Sequence, residues 1–137
     1  MSGMSRVLLV LLGTLVLAAC GSEASGPNVI LISVDTLRRD ALYAHEPEAL
    51  PLPNLDRFAD ECVRYENGLS VASWTLPAHA SLLTGVYPDV HGATDRRVTL
   101  AGELGPLAEA LAARGYETAA FTGGGFLDAK YGLGRGF

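Results

Sequence analysis

The chain has 137 residues, of which 49% are hydrophobic and 18% charged, and its formal net charge at pH 7 is −5. An acidic surface repels the nucleic-acid backbone, so the charge argues against nonspecific nucleic-acid binding, and we expect no such partner. The composition is that of a small globular unit behind an apolar N-terminal segment.

Residues 7–19 are almost wholly apolar and follow a short head with one basic residue, Arg6. The stretch is too short for a membrane-spanning helix, which needs about 20 apolar residues, but it is typical of a secretory signal. Its final Leu-Ala-Ala-Cys resembles the lipobox of bacterial lipoproteins, in which the cysteine is lipidated. We therefore expect a lipoprotein signal peptide over residues 1–19, a lipid anchor at Cys20 and a flexible tether over residues 20–27. The alternative is an ordinary signal peptide with a chance cysteine.

A lipid anchor at Cys20 would attach the protein to a membrane of the cell envelope, outside the cytoplasm. Cys62 would then be the one remaining thiol of the two in the chain. It follows Leu55 and Phe58 at helical spacing, so we expect it to be a buried core thiol.

The first predicted element of the folded part is a strand over residues 28–35, Asn-Val-Ile-Leu-Ile-Ser-Val-Asp. Its nearly continuous apolar run is typical of a strand buried on both faces of a parallel sheet. Ligands of open α/β sheets bind beyond the carboxyl ends of strands, which makes Asp35 a candidate metal ligand. An aspartate that merely starts the next turn explains the pattern equally well.

Further elements are predicted before the central motif. Residues 36–49 have the mixed, charged composition of a loop or short helix, in which we expect His45 to face solvent. Asn54 is predicted to cap an amphipathic helix that leads to Cys62. Residues 63–70 alternate briefly and are predicted to form a strand.

The central motif is the stretch over residues 73–85, Ser-Trp-Thr-Leu-Pro-Ala-His-Ala-Ser-Leu-Leu-Thr-Gly. Pro77 is tolerated in a first helical turn, residues 78–83 are predicted to be helical, and Gly85 ends the helix. Thr75 would then lie at a helix N-terminus, where free N–H groups and the helix dipole favour an anion. Its hydroxyl is either a helix cap or a nucleophile that faces a phosphate or sulfate.

The C-terminal part repeats the alternation of helix and strand. Residues 101–114 are predicted to form an amphipathic helix with Pro106 near its start, and residues 116–122 a strand. The glycines at 123–125 lack the lysine and spacing of a phosphate loop, so we expect a flexible turn. The order of the elements predicts the α/β class, with a mainly parallel sheet flanked by helices.

Several of these segments resemble the sulfatase family of the alkaline phosphatase superfamily. They are residues 28–38, residues 53–59, the Ala-Ser-Leu-Leu-Thr-Gly of residues 80–85 with the Tyr-Pro and His-Gly pairs after it, and residues 132–137. They follow the family's order and roughly its spacing. The resemblance implies that residues 28–137 are the N-terminal portion of a sulfatase-type hydrolase domain, with an alkaline phosphatase-like fold that is incomplete in this chain.

The resemblance also implies roles for individual residues. Asp35 would be a ligand of a divalent metal, zinc or calcium, and Thr75 would be the nucleophile and touch the metal as well. His79 would either fix the site through a hydrogen bond or be structural. The nucleophile would attack sulfur or phosphorus in line, and the covalent intermediate would then be hydrolysed.

Two differences from the sulfatases favour a phosphorus ester. Sulfatases carry Cys or Ser at the nucleophile position and Arg four residues later, where this chain has Thr75 and His79. The Thr-x-Pro-x-His pattern instead resembles the phosphodiesterase and nucleotide pyrophosphatase branch, in which threonine attacks directly. Sulfatases also commonly open with paired aspartates, whereas Asp35 is followed by Thr36.

The resemblance thus implies a metal-dependent hydrolase that cleaves a sulfate ester or, as Thr75 favours, a phosphate or phosphonate ester of a small molecule or glycan. The family's remaining metal ligands lie further downstream, so we expect activity in a longer protein and inactivity of this chain alone. The alternatives are a non-catalytic surface lipoprotein and an inactive truncated fragment on a sulfatase-like scaffold.

Overall fold

The computed structural model describes residues 26–42 and 51–137, so the predicted signal peptide, Cys20 and His45 lie outside the described residues. The two ranges contain the α-helices α1 (Pro53–Glu61), α2 (Thr75–Thr84), α3 (Pro88–His91) and α4 (Leu107–Ala112), and 3-10 turns at Arg39–Ala41, Gly125–Leu127 and Ala129–Tyr131. None of the helices in these ranges is both long and apolar enough to cross a membrane.

Helix α1 begins two residues earlier than predicted, and Asn54 does not cap it. Its N-cap is Leu52, and Pro53 takes the first helical position, where a missing N–H costs nothing. The N–H of Leu52 donates to the carboxylate of Asp56 over 3.2 Å. The side chain of Asp56 therefore accepts a free N–H group at the start of the helix, the role that was expected of Asn54.

The apolar face of α1 is open to solvent. Phe58 is 65% exposed, Leu55 is 48% exposed, and Cys62 is exposed as well. The prediction of a buried core thiol at Cys62 is therefore wrong for this structure. Helical spacing identified the apolar face correctly, but the described part of the chain packs no apolar layer over it.

Helix α2 has the predicted position and ends as predicted. Pro77 lies in its first turn, and Gly85 ends it in the left-handed conformation with φ 73°. The N–H of Gly85 donates to the carbonyl of Ser81 over 2.8 Å. The N-cap is Trp74, and Thr75 is the first helical residue, so the hypothesis that Thr75 merely caps the helix is wrong.

One face of α2 builds the core of the described residues. Leu76 and Ala80 lie four residues apart on that face and are fully buried. The cluster around them comprises Ala93, Leu100, Tyr131 and Leu133, with Trp74, Leu83, Phe126 and Leu127 partly buried against it. The rings of Trp74 and Phe126 meet edge to face with their centroids 5.2 Å apart, which seals the end of the cluster near the start of α2.

A buried histidine joins α2 to α3. His91 is fully buried, and its Nδ1 accepts the N–H of Ala93 over 3.0 Å. Its Nε2 therefore carries the ring proton and donates to the hydroxyl of Ser81, 3.0 Å away. Both ring nitrogens are satisfied, so this histidine has a structural role.

The three segments predicted as strands form no strand within the described ranges. Their apolar side chains lie in solvent: Ile30 is 82% exposed and Phe121 97% exposed. A strand exists only when a neighbour pairs its N–H and C=O groups, and the described residues supply no such neighbour. The mainly parallel sheet of residues 28–35, 63–70 and 116–122 therefore stays a prediction.

Helix α4 is shorter than the predicted helix over residues 101–114. It starts at Leu107 because Pro106, its N-cap, has an extended backbone with ψ 162°. Residues 101–105 lie outside the helix, with a turn at residues 102–103, although Leu104 has helical spacing to Leu107 and Leu111. Gly115, expected to end the helix, follows three residues after Ala112 with φ 85°.

The last residues of the chain pack closely against α4. Arg135 forms a two-pronged ion pair with Glu109, with nitrogen–oxygen distances of 2.9 and 3.0 Å. Gly136, with φ 88°, lies directly on the backbone of α4, so that a Cβ there would overlap atoms of Ala108 and Glu109. Only glycine permits both this backbone conformation and this approach.

Replacing Gly136 by alanine should therefore destabilise the protein by at least about 2 kcal/mol, since both strain and backbone overlap act against it. Gly102→Ala is the matched control, because Gly102 has no positive φ and no atom lies within 4 Å of the place that its new methyl group would take. Chemical denaturation of the complete gene product measures both variants. Equal transition midpoints for the two variants would contradict the close packing of residues 132–137.

Candidate functional site

The structure brings Asp35 and Thr75 together although they are 40 residues apart. The hydroxyl of Thr75 donates to Oδ2 of Asp35 over 2.9 Å. Asp35 ends the first predicted strand and Thr75 opens α2, so the contact joins a segment end to a helix N-terminus. The contact joins the two residues for which the family resemblance implies a shared metal site.

The turn after Asp35 is strained. Thr36 is the only non-glycine residue of the described ranges with a positive φ, 60°. The left-handed conformation costs a residue with a Cβ about 1–2 kcal/mol. Two local bonds offset this: the N–H of Thr36 donates to Oδ1 of Asp35 over 3.0 Å, and its hydroxyl donates to the Asp35 carbonyl over 2.7 Å. One carboxylate oxygen is thereby used locally and the other faces Thr75.

His79 lies one helical turn after Thr75 on the same face of α2. Its Nδ1 is 2.9 Å from the carbonyl of Thr75, and its Nε2 is 2.8 Å from the hydroxyl of Ser33. His79 thus has two hydrogen-bond partners, and one of them, Ser33, is a residue that sequence reasoning missed. The available signal was that Ser33 is a polar residue in an otherwise apolar run, two positions before Asp35.

The N-terminal turn of α2 favours negative charge. Its first N–H groups have no partner within the helix, and the helix dipole adds partial positive charge there. No acidic residue lies in this first turn to cancel that charge. The free N–H groups would stabilise a phosphate or sulfate group next to Thr75, whereas the carboxylate of Asp35, 2.9 Å from the Thr75 hydroxyl, would repel it unless a cation lay between them.

The basic residue nearest to Asp35 in sequence already has a partner. The guanidinium of Arg38 binds the carboxylate of Asp40 through two hydrogen bonds, and this bonding holds the pKa of the Asp40 carboxyl below its usual value. Both side chains are largely exposed. In this structure Arg38 therefore neutralises an aspartate rather than facing Thr75.

Oδ2 of Asp35 and Oγ1 of Thr75 lie 2.9 Å apart and could both be ligands of one metal ion. Oxygen ligands suit hard divalent cations, and a carboxylate also suits zinc. Within the described ranges, no three His, Cys, Asp or Glu side chains lie close enough together to hold a metal ion. A catalytic metal with a near-complete shell would need further ligands from outside the described residues.

Comparison with known proteins gives a family match and several relatives. The family model for type I phosphodiesterase / nucleotide pyrophosphatase matches residues 29–101, which include Asp35, Thr75 and His79. No solved structure gives a significant match.

The relatives include sulfatases and a triphosphatase. The chain is 32% identical over 82% of its length to an N-acetylglucosamine-6-O-sulfatase of Bacteroides thetaiotaomicron, and 40% identical over 71% to an ulvan-active sulfatase of Formosa agariphila. It is 37% identical over 56% of its length to a bis(5'-adenosyl)-triphosphatase, enpp4, of Xenopus laevis. The matches cover 21%, 19% and 16% of these proteins, so the chain spans about a fifth of the length of the curated relatives it matches.

Proposed function

We propose that this chain carries the nucleophile of a metal-dependent ester hydrolase. The chain belongs to the type I phosphodiesterase / nucleotide pyrophosphatase family. This family and the sulfatase relatives are part of the alkaline phosphatase superfamily, whose members have a fold of the α/β class. The proposed substrate is a phosphate or phosphonate ester. One observation carries the proposal: the hydroxyl of Thr75, at the N-terminus of α2, donates to the carboxylate of Asp35.

The contact gives Thr75 the environment that a hydroxyl nucleophile needs. Its proton is directed at Oδ2 of Asp35, which leaves the lone pairs of Oγ1 for attack. The N–H groups of the first turn of α2 would bind the negative oxygens of the substrate. In the proposed reaction an Oγ1–phosphorus bond forms as the bond to the leaving oxygen breaks, and water then cleaves the threonine ester.

A divalent metal, zinc or calcium, would be held by Asp35 and Thr75 together with ligands from outside the described residues. When bound, such a metal polarises the ester and lowers the pKa of the nucleophilic hydroxyl. His79 would hold the first turn of α2 in place through its bond to the Thr75 carbonyl, and would not itself take part in the bond changes.

The choice of a phosphorus ester depends on the chemistry of threonine. In sulfatases the cysteine or serine at the nucleophile position is oxidised to formylglycine, and threonine is not a precursor of that group. The relative enpp4 is named as a triphosphatase, an enzyme that acts at phosphorus, whereas two other relatives are named as sulfatases. A sulfate ester of a small molecule or glycan is therefore the second candidate substrate.

The location of the protein is part of the proposal. A signal peptide over residues 1–19 and a lipid on Cys20 would hold the enzyme at a membrane of the cell envelope, outside the cytoplasm. Residues 20–27 would then act as a tether to the hydrolase domain that begins at residue 28.

Thr75→Ala should lower kcat of the complete gene product by at least about a thousandfold, because it removes the attacking oxygen. Thr75→Ser keeps a hydroxyl and should retain part of the activity. Thr84→Ala is the matched control, since Thr84 lies in the same helix and donates to the Ala80 carbonyl. A wild-type rate in Thr75→Ala would refute the nucleophile assignment.

Asp35→Asn should weaken metal binding by at least about tenfold while leaving the fold intact, because the amide keeps the shape of the carboxylate but not its charge. Metal content after dialysis, measured by mass spectrometry, tests this. Asp40→Asn is the control, because Asp40 pairs with Arg38. Equal metal content in both variants would exclude Asp35 as a ligand.

The two candidate substrates are separated by a direct comparison. The complete gene product should show a higher kcat/KM for bis(4-nitrophenyl) phosphate than for 4-nitrophenyl sulfate, because threonine attacks phosphorus directly. Both substrates release the same coloured leaving group, so one assay measures both rates. Turnover of the sulfate alone would reverse the assignment and favour a sulfatase.

A further inference from the structure

We propose that Ser33 is a positioning residue that acts through His79 to hold Thr75 in register with Asp35. This inference rests on the proposed function, because it assigns a role within the same site. The observation behind it is that two hydrogen bonds, and not one, join the segment before Thr36 to α2.

The two hydrogen bonds are compatible with the spacing of the bonded residues along each of the two segments. Ser33 and Asp35 are two residues apart, and the side chains of both reach α2. Thr75 and His79 are four residues apart, and on a helix such residues lie on one face about 6 Å apart along the axis. Each polar group on one segment therefore meets one on the other.

The order of the partners fixes the direction of the helix. Asp35 binds Thr75, and Ser33, which precedes it, binds the later residue His79. The helix consequently runs antiparallel to the segment 33–35. A single bond between Asp35 and Thr75 would leave the segment 33–35 free to pivot against α2, whereas the second bond restricts this motion.

The hydrogen bonds also set the proton positions on His79. The carbonyl of Thr75 can only accept, so Nδ1 carries the proton and donates to it. In the neutral ring Nε2 is then an acceptor, and the hydroxyl of Ser33 donates to it. The result is a relay from the Ser33 hydroxyl through the imidazole to the backbone of the nucleophile.

Removal of the Ser33 hydroxyl would displace Thr75, although Ser33 itself would make no contact with the substrate. His79 would keep its bond to the Thr75 carbonyl but lose its tie to the segment that carries Asp35. Small displacements of a nucleophile reduce the rate of the chemical step strongly. We therefore expect the effect in kcat, with KM nearly unchanged.

The kinetic test uses the complete gene product with its metal bound and bis(4-nitrophenyl) phosphate as the probe. Ser33→Ala should lower kcat about tenfold with KM changed by less than about twofold, the loss expected for one hydrogen bond. Ser33→Thr restores the hydroxyl and should recover kcat to within about threefold. Ser70→Ala is the matched control, because the Ser70 hydroxyl donates only to the nearby Ala72 carbonyl.

A double-variant cycle tests whether Ser33 acts through His79. The side-chain nitrogen of His79→Asn can replace Nδ1 as the donor to Thr75 but cannot reach Ser33. Adding Ser33→Ala to His79→Asn should therefore change kcat by less than about twofold. Independent, multiplying losses would show that Ser33 acts by another route and would overturn the proposal.

Nitrogen NMR of the histidine rings in the metal-free protein gives a readout that does not depend on activity. His79 should be the Nδ1–H tautomer in the wild type, and Ser33→Ala should move its Nε2 resonance while leaving that of His91 unchanged. An unchanged Nε2 resonance would show that the relay does not exist in solution.

The outcomes separate this inference from the proposed function. If Thr75→Ala abolishes turnover and Ser33→Ala has a wild-type kcat, the positioning role is wrong and the nucleophile assignment stands. If Thr75→Ala retains turnover, the proposed function fails, and the NMR result alone then decides whether Ser33 orients His79.

Discussion

The hydrogen bond between Thr75 and Asp35 fixes the start of α2, and the arrangement of the site depends on that position. It places a hydroxyl, a carboxylate and the free N–H groups of a helix end at one point. The strained turn at Thr36 contributes by occupying the other carboxylate oxygen. A backbone strain that is offset by local bonds next to a candidate ligand is typical of functional sites.

Helix α2 is held by different forces on its two faces. Leu76 and Ala80 anchor one face in the apolar core, and Ser81 adds a bond to the buried His91. The face with Thr75 and His79 is joined to residues 33–35 by two hydrogen bonds. Because the apolar face stabilises the helix, the residues of the polar face are available for a catalytic role.

The sequence predicted this helix well because its signals are local. Pro77 and Gly85 mark a first turn and an end by their own backbone preferences, and the position of Thr75 follows from them. The sequence also placed Asp35 at the end of an apolar segment that leads to the site. Neither inference required knowledge of what packs around the helix.

Other features could not be predicted because they depend on distant partners. The spacing of Leu55, Phe58 and Cys62 defines an apolar face, but burial also requires a layer that covers it. The same holds for residues 28–35, since an apolar run specifies a strand only where a neighbouring strand pairs with it. The start of α4 was missed for a local reason: the backbone of Pro106 is extended, and the helix begins only after it.

The two described histidines show why residue type alone does not reveal a role. In His91, Nδ1 accepts a backbone N–H and the ring is buried, so its proton is on Nε2. In His79, Nδ1 faces a carbonyl and the proton is on Nδ1, which leaves Nε2 as an acceptor for Ser33. The fold sets the partner of Nδ1 in each ring, and that partner determines which nitrogen carries the proton. As a result, His91 is a satisfied residue of the core, whereas His79 connects the helix of the nucleophile to the segment that carries Asp35.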